Sequence, residues 1–413
     1  MTDDKGVKPD ASDVGAGAAA PAGVGPPPAV TASIPREQLL AKLEQALAGA
    51  GAALVGVDGS GKTTLAQEYV RSRAGDYSWV WWCDASSEYS LWSGLAVEGR
   101  KALTASGATA VESTTDAEAA ERALGRLRGG AGWLVVLDGV TDEAAVRQAM
   151  VSATGKFIVT TRVDQDWRNL ALTAVAVEPL TKAEAVRLLL ARAEPASPKG
   201  WEISGPAGEL VRELGCWPLT VAQAGSLLRL DGARDPSALL ARWRQTAAAH
   251  PLEAVAGAAP ERTVARLWNL AISRLEERDP SAVRLLSVLG WWGPPEGIPR
   301  SMLRWLGGSV IPDGPDRPLR AAAAAGLLSL SDDAVAVHPL LHMVWRTPDE
   351  AVPQRARERL REARATAVRA LALMLEGRNT GDPAVWPILR SLVGPAEVLA
   401  AQPGGGPGSR VCR

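Results

Sequence analysis

The sequence is poor in the residues that build zinc sites and disulfide frameworks. Only three cysteines and three histidines occur among 413 residues. The cysteines are odd in number and far apart, which fits reduced thiols rather than a set of disulfides. With His250, His338 and His342 as the only histidines, a zinc site of the usual ligands is disfavoured. We therefore expect a protein of a reducing, intracellular compartment.

The sequence also lacks an excess of one charge and a long apolar run. Lysine and arginine number 45 against 46 acidic residues, a net charge of −1. No global field then draws the protein to nucleic acid or to a membrane surface. No apolar stretch is long enough to span a bilayer, and the N-terminus lacks the apolar core of a signal peptide. These absences predict a cytoplasmic protein without membrane or nucleic-acid partners, with room for two or three domains.

The most informative segment that is present is the phosphate loop, residues 56–63, with the sequence Gly-Val-Asp-Gly-Ser-Gly-Lys-Thr. An apolar run at 52–55 precedes it, and a helical pattern at 64–70 follows it. Glycines let the backbone wrap a polyphosphate with its N–H groups inward, and the following helix offers its positive end. Lys62 can then reach the β- and γ-phosphates, and the Thr63 hydroxyl can ligate Mg²⁺. The alternative is a glycine-rich turn that matches the pattern by chance.

A second element supports the first. Residues 133–138, Trp-Leu-Val-Val-Leu-Asp, form an apolar run that ends in an acid. Buried parallel strands have continuous apolar runs, and ligands bind at their carboxyl ends. Asp138 is therefore expected close to Thr63 and its metal ion. Read alone, the run is equally consistent with a strand that ends in a turn aspartate.

Strand-like and helix-like segments alternate between about 52 and 178, which predicts an α/β domain with a mainly parallel sheet. Strands are expected at 52–57, 79–83, 133–138, 156–160 and 173–177. An amphipathic helix is expected to open at 35–37 and to carry Leu39, Leu40, Leu43 and Leu47. Thr181 and Glu184 have the spacing of a capping box at the start of a helical region that runs to about 245.

The remaining chain reads as helical from 262 to 346, with β-like runs at 327–330 and 334–337 around a turn at 331–333. Helices followed by a hairpin suggest a winged-helix module, and 354–376 form one more amphipathic helix. Residues 1–33, rich in alanine, glycine and proline, are expected to be disordered, and 403–408 to be flexible. The expected divisions are a tail at 1–33, a phosphate-loop domain at 34–180, a helical domain at 181–250, a winged-helix domain at 262–350, and a helical segment with a tail at 351–413.

These features resemble the NB-ARC branch of the STAND signalling ATPases over about residues 35–395. Residues 157–162, Phe-Ile-Val-Thr-Thr-Arg, look like the family's sensor strand, and 215–219, Gly-Cys-Trp-Pro-Leu, look like its Gly-x-Pro motif. Residues 337–342, Val-His-Pro-Leu-Leu-His, resemble the end of its winged helix. Residues 34–37, Ile-Pro-Arg-Glu, resemble its entry segment, with proline in place of a glycine. All occur in the family's order.

The resemblance implies an ATP- and ADP-binding switch that uses Mg²⁺ and self-associates in the ATP state. Arg162 would read the γ-phosphate, Pro218 would pack on the adenine, and His338 would contact the β-phosphate of ADP in the resting state. The implied catalytic residues are Lys62, Asp138 and Arg162, and the implied metal ligands are Thr63 and Asp138. The implied nucleotide-binding residues are Arg36, Gly56, Gly59, Ser60, Gly61, Lys62, Thr63, Thr64, Pro218 and His338.

Each implied role has a simpler alternative in the residues themselves. Arg162 can be an ordinary arginine at the entry to a helix. Pro218 can simply begin a helix, where proline is favoured at the first position. His338 precedes a proline and is biased to an extended backbone, so it can be a packed turn residue.

One departure from the family affects catalysis. Many relatives carry two acids at the end of the strand that holds Asp138, and here Gly139 follows it. Asp142 and Glu143 come a few residues later and are candidates to replace the second acid, a question that the sequence leaves open. A missing water-positioning group lowers the rate of hydrolysis without lowering nucleotide affinity, so slow hydrolysis is implied.

Two other functions remain open at this stage. A nucleotide-gated winged-helix transcription regulator would need a basic face, whereas residues 262–350 contain ten arginines and ten acids. A degenerate nucleotide-binding scaffold would retain the loop without the switch. A kinase of the phosphate-loop class is not supported, because no acceptor site is evident. Residues 382–389 resemble the entry into a tetratricopeptide-type array.

Overall fold

The computed structural model describes most of the chain between residues 34 and 401. The described ranges are 34–105, 114–129, 132–141, 143–150, 155–163, 165–194, 201–232, 235–249, 260–293, 297–308, 310–379, 382 and 385–401. The predicted disordered tail at 1–33 and the predicted flexible end at 403–408 lie outside the described residues. No helix in the described ranges is both long and apolar enough to cross a membrane.

Five parallel strands form the larger sheet, in the order β2-β3-β4-β1-β5. Each strand lies within two residues of its expected position, so the prediction of a parallel α/β sheet is confirmed. Their side chains are apolar on both faces because helices cover both faces. The strands are β1 Gly51–Val55, β2 Trp79–Asp84, β3 Trp133–Val140, β4 Lys156–Thr161 and β5 Leu172–Ala176.

Helices pack on the two faces of this sheet. Leu43 of the first helix and Leu65 of the second share a buried cluster with one face of the strands. Leu95 and Leu124 of the third and fourth helices share a cluster with the other face. The helices are α1 Glu37–Leu47, α2 Lys62–Arg73, α3 Glu88–Ala105, α4 Asp116–Gly129 and α5 Glu143–Met150. Parallel pairing puts the carboxyl ends of β1, β3 and β4 at one edge, where α2 begins.

The second half of the chain is mainly helical. It opens with the predicted capping box, in which the Thr181 hydroxyl accepts from the Glu184 amide and the Glu184 carboxylate accepts from the Thr181 amide. The helices are α6 Lys182–Ala193, α7 Pro206–Glu213, α8 Pro218–Leu230, α9 Pro236–Ala249, α10 Pro260–Arg278, α11 Pro280–Leu289, α12 Asp316–Ala324, α13 Pro339–Arg346, α14 Arg357–Leu375 and α15 Trp386–Ala401.

A small antiparallel sheet lies among these helices, in the order β6-β8-β7. The strands are β6 Ile298–Pro299, β7 Ser329–Leu330 and β8 Ala334–Ala336. The hairpin of β7 and β8 was expected, whereas β6 was not, because two residues are too few to show an alternating pattern. One buried apolar cluster runs from Leu180 to Leu399 and joins the helices from α6 to α15 with this sheet.

Candidate functional site

The phosphate loop connects β1 to α2 and depends on its glycines. Gly59 and Gly61 have φ values of 79° and 93°, where a side chain would be strained. Gly61 is also the N-cap of α2. A Cβ atom on Gly56 would lie 2.9 Å from the Val177 carbonyl oxygen, so that position is closed to larger residues as well.

Lys62 folds back across this loop. Its ammonium donates to the carbonyl oxygens of Gly56 and Val57, each at 2.9 Å, and lies 3.9 Å from the Asp58 carboxylate. Only 9% of the residue is exposed. The cation is therefore held inside the loop, at the positive end of α2.

The groups that line the loop fit a polyphosphate. The Ser60 hydroxyl is buried without a hydrogen-bond partner among the described residues. A buried hydroxyl left unpaired costs about 1–3 kcal/mol, so a ligand that pairs with it gains affinity. Together with the Lys62 ammonium and the N-terminus of α2, it forms a donor set suited to an anion. Thr64 follows in the first turn of the same helix.

Asp138 and Thr63 meet at the carboxyl edge of the sheet, as expected. The Thr63 hydroxyl donates to the Asp138 carboxylate at 2.8 Å, and the Thr160 hydroxyl donates to the same oxygen at 2.5 Å. Burial raises the pKa of Asp138, against the hydrogen bonds of Thr160 and Thr63 and the charge of Lys62, which lower it. A hydroxyl and a carboxylate are hard oxygen ligands, the kind that Mg²⁺ prefers beside phosphate oxygens.

Gly139 stands at the position after Asp138 where many relatives carry a second acid. Its φ of 78° lies in the left-handed region, and its amide donates to the Thr160 hydroxyl at 2.8 Å. An acidic residue with this backbone conformation would be strained. Of the two acids that come next, Asp142 lies outside the described residues, and Glu143 begins α5 and pairs with Arg147 one turn later.

Arg162 lies directly after β4, at the end of the strand as the sequence predicts, and its side chain reaches the phosphate loop. Its guanidinium Nη1 donates to the Asp58 carboxylate at 3.0 Å. Sequence reasoning missed Asp58 as a site residue. The sequence contained the signal, because a negatively charged side chain is unexpected in a loop whose pattern indicates phosphate binding.

The segment at 215–219 packs on the loop from the helical half. The Leu219 amide donates to the Gly59 carbonyl oxygen at 3.2 Å. A Cβ atom on Gly59 would lie 2.8 Å from Leu219, and one on Gly61 would lie 3.6 Å from the Pro218 ring. Pro218, the first residue of α8, is thus brought to the start of α2.

His338, from the far end of the chain, lies close enough to the loop for the charges of Asp58 and Lys62 to act on its ring. It is the N-cap of α13, and its Nδ1 accepts from the Leu340 amide at 3.2 Å. Burial lowers its pKa to about 4; the nearby charge of Asp58 raises the pKa and that of Lys62 lowers it. The ring is therefore neutral at physiological pH, and since Nδ1 accepts, Nε2 carries the proton and is a donor.

Arg36 links the entry segment, residues 34–37, to the phosphate loop. Its guanidinium donates to the Ser60 carbonyl oxygen at 3.3 Å and to the Glu178 carbonyl oxygen at 2.6 Å. It therefore connects the residues before α1, the phosphate loop and the segment that follows β5. The structure places the arginine against the backbone of the loop rather than inside it.

Comparison with known proteins supports the resemblance. Residues 35–198 match the NB-ARC domain. A STAND protein with a tetratricopeptide repeat sensor from Pyrococcus horikoshii is similar in structure, with a TM-score of 0.54 and 16% identity; 90% of this chain and 49% of that chain are covered. This chain thus spans about half the length of that protein.

A further solved structure is less similar. The Walker-type ATPase of Pyrococcus abyssi has a TM-score of 0.36 and 14% identity, with 76% of this chain and 96% of that chain covered, too low a similarity to support an argument. The comparison with curated proteins gave no match. Residues 35–198 are therefore similar to the NB-ARC domain, and the fold along most of the chain is similar to that of the STAND protein.

Proposed function

We propose that this protein is an ATP/ADP-binding molecular switch with slow ATP hydrolysis, which acts in signalling or regulation. One observation carries the proposal, namely that distant parts of the chain converge on the phosphate loop. Asp138 and Arg162 arrive from the large sheet, Pro218 arrives from the start of α8, and His338 arrives from the start of α13.

The α/β half would bind the phosphates. Lys62, Ser60, Thr64 and the backbone amides of the loop would hold the polyphosphate, and Arg36 would brace the loop from outside. Thr63 and Asp138 would hold Mg²⁺, which supplies positive charge against the phosphate oxygens. Thr63 already contacts Asp138, and Arg36 already contacts the backbone of the loop, so these groups need little reorganisation on binding.

The helical half would report which nucleotide is bound. Pro218 would pack on the adenine, and the Nε2–H of His338 would donate to the β-phosphate of ADP. A contact from a separate half is lost whenever the halves part, so its free energy counts only toward the closed arrangement. Arg162 would favour the state that holds a γ-phosphate.

Magnitudes show that one contact is not enough. A hydrogen bond to a charged group contributes ~1.5–3 kcal/mol. A change in the ratio of the two domain arrangements from 1:99 to 99:1 needs about 5.5 kcal/mol of differential binding. The packing of Pro218 and Leu219 on the loop must therefore contribute free energy in addition to that of the proposed hydrogen bond from His338.

A buried chain of contacts supports this cooperation. The ring of His338 packs against Trp268, with ring centroids 6.0 Å apart. The Trp268 indole donates to the Gln223 side chain at 3.1 Å, and Gln223 donates to the Ala325 carbonyl oxygen at 2.9 Å. Gln223 lies on α8, the helix that Pro218 begins, so Pro218 and His338 are held by one connected core.

Residues 262–350, which hold most of α10, the helices α11–α13 and the small sheet, would form the winged-helix module of this switch. Parting of the halves would uncover the apolar side chains of Pro218 and Leu219, which pack on the loop. Exposed apolar patches are sites of association, so the proposal includes self-association in the ATP state. Slow hydrolysis follows from the glycine at 139 and from the pairing of Glu143 with Arg147.

Identification of the nucleotide that co-purifies with the protein tests the proposal. The protein is denatured, and the released small molecules are separated by ion-exchange chromatography against ATP and ADP standards. We expect stoichiometric ADP. Absence of any nucleotide, together with no heat of binding on titration with ATP or ADP, would contradict the proposal and favour a scaffold that has lost the site.

A further inference from the structure

Asp58 places a negative charge inside a loop that is otherwise built for anions. Its carboxylate accepts from Arg162 at 3.0 Å and lies 3.9 Å from the Lys62 ammonium. It is also near enough to His338 to affect the pKa of that ring. One carboxylate therefore pairs with Arg162, lies near Lys62 and acts on the ring of His338, and the proposed function gives each of these side chains a phosphate contact.

This arrangement puts the carboxylate in competition with a phosphate. A guanidinium that pairs with a carboxylate at 3.0 Å must leave or share that partner before it contacts a phosphate oxygen. Among the described residues, the carboxylate of Asp58 pairs with Arg162 and lies near Lys62. These partners are side-chain cations rather than backbone amides, so Asp58 does not act as the cap of a turn. A carboxylate and a phosphate also repel each other, so Asp58 acts against the phosphate that binds nearest to it.

We propose that Asp58 sets the preference between ADP and ATP by holding Arg162 as an internal counter-ion. A γ-phosphate gains Arg162 only by displacing the carboxylate, whereas ADP leaves the pair intact. The inference rests on the proposed function, because it takes Arg162 as the contact of the γ-phosphate. It adds a specificity-determining residue that biases the switch toward the ADP state.

The exposure of the pair sets the expected size of the effect. The side chain of Arg162 is 60% exposed and that of Asp58 is 28% exposed. Solvent screens such a pair, so it is weak enough for a ligand to break. We expect its loss to change the relative affinity for the two nucleotides about fivefold, which corresponds to roughly 1 kcal/mol.

A double-mutant cycle on the full chain tests the proposal. Isothermal titration gives the Kd of ADP and of a non-hydrolysable ATP analogue, with Mg²⁺, for the wild type, Asp58→Asn, Arg162→Gln and the double variant. Asp58→Asn should tighten binding of the analogue about fivefold and leave ADP within about twofold. In the Arg162→Gln background the same substitution should have a clearly smaller effect, because the arginine is no longer there to be released.

A matched control distinguishes the effect of a charge beside the site from the effect of the protein's total charge. Asp76→Asn makes the same change of charge at the other end of α2, a 12-residue helix and so roughly 18 Å away. It should leave both affinities unchanged. Thermal melting of every variant without nucleotide confirms that the substitutions leave the chain folded.

The outcomes distinguish the inference from the function on which it rests. An unchanged preference in Asp58→Asn, or an equal effect of that substitution with and without Arg162, would overturn the inference while nucleotide binding stands. A wild type that binds neither nucleotide would overturn both.

Discussion

The two halves of the candidate site are built differently. In the α/β half, Lys62, Thr63 and Asp138 are joined by short hydrogen bonds to the loop and to Thr160. In the helical half, one backbone hydrogen bond from Leu219 and the approach of His338 reach the loop. The difference suggests a division of labour in which the first half binds nucleotide and the second half responds to it. Substitutions in the first half should then mainly change the affinity for nucleotide, and substitutions in the second half should mainly change the rate of nucleotide release.

The largest expected effect is on affinity. Lys62→Ala removes the cation that is held inside the loop and should weaken binding of both ATP and ADP by about a hundredfold or more. Isothermal titration measures this directly. Lys42→Ala, an exposed residue on α1, is the matched control and should bind normally. An unchanged affinity in Lys62→Ala would show that the phosphates bind elsewhere.

The next effect should appear in exchange. His338→Ala would remove the hydrogen bond to the β-phosphate that we propose for the helical half, and it should speed ADP release about tenfold to a hundredfold. Stopped-flow release of a fluorescent ADP analogue reports the rate. Met343→Ala, on the exposed face of the same helix, should release ADP at the wild-type rate. If His338→Ala also releases at that rate, the histidine is a packed turn residue.

A smaller effect is expected at the metal. Asp138→Asn keeps an acceptor for the Thr63 hydroxyl but lowers the negative charge, so it should reduce the gain in affinity that Mg²⁺ provides by about tenfold. Titrations with and without Mg²⁺ separate this gain from the metal-free affinity for ADP. Asp166→Asn, an exposed acid beyond β4, serves as control. Equal Mg²⁺ dependence in Asp138→Asn and the wild type would move the metal ligand elsewhere.

The smallest effect should arise in the core that joins the contacts of the helical half. Gln223→Leu leaves the Trp268 indole and the Ala325 carbonyl oxygen unpaired, which should lower the free energy of unfolding by about 1–3 kcal/mol. ADP release should quicken less than in His338→Ala. Chemical denaturation and the same stopped-flow assay measure both quantities, with the exposed Gln45→Leu as control. A lower stability with unchanged release would mean that this core does not link Pro218 to His338.

The features that the sequence predicted arise from local patterns of residues. Continuous apolar runs marked the five strands, glycines marked the loop, and the spacing of Thr181 and Glu184 marked the start of α6. The contact of Thr63 with Asp138 was also predictable, because carboxyl ends of parallel strands share one edge.

The parts that sequence did not predict depend on tertiary packing. Strand β6 has two residues and leaves no pattern. The left-handed backbone of Gly139 coincides with a shift of register between β3 and β4. The pairing of Arg162 with Asp58 joins residues 104 positions apart, and only the folded sheet brings them together.

Hydrogen exchange of the full chain tests the division of labour most directly. Protection of backbone amides is compared by mass spectrometry with saturating ADP and with a saturating non-hydrolysable ATP analogue. The account predicts equal protection of β1 and the phosphate loop with both nucleotides, and faster exchange at the starts of α8 and α13 with the ATP analogue. Identical exchange at those helix starts with the two nucleotides would contradict it, because the helical half would then not respond to the γ-phosphate.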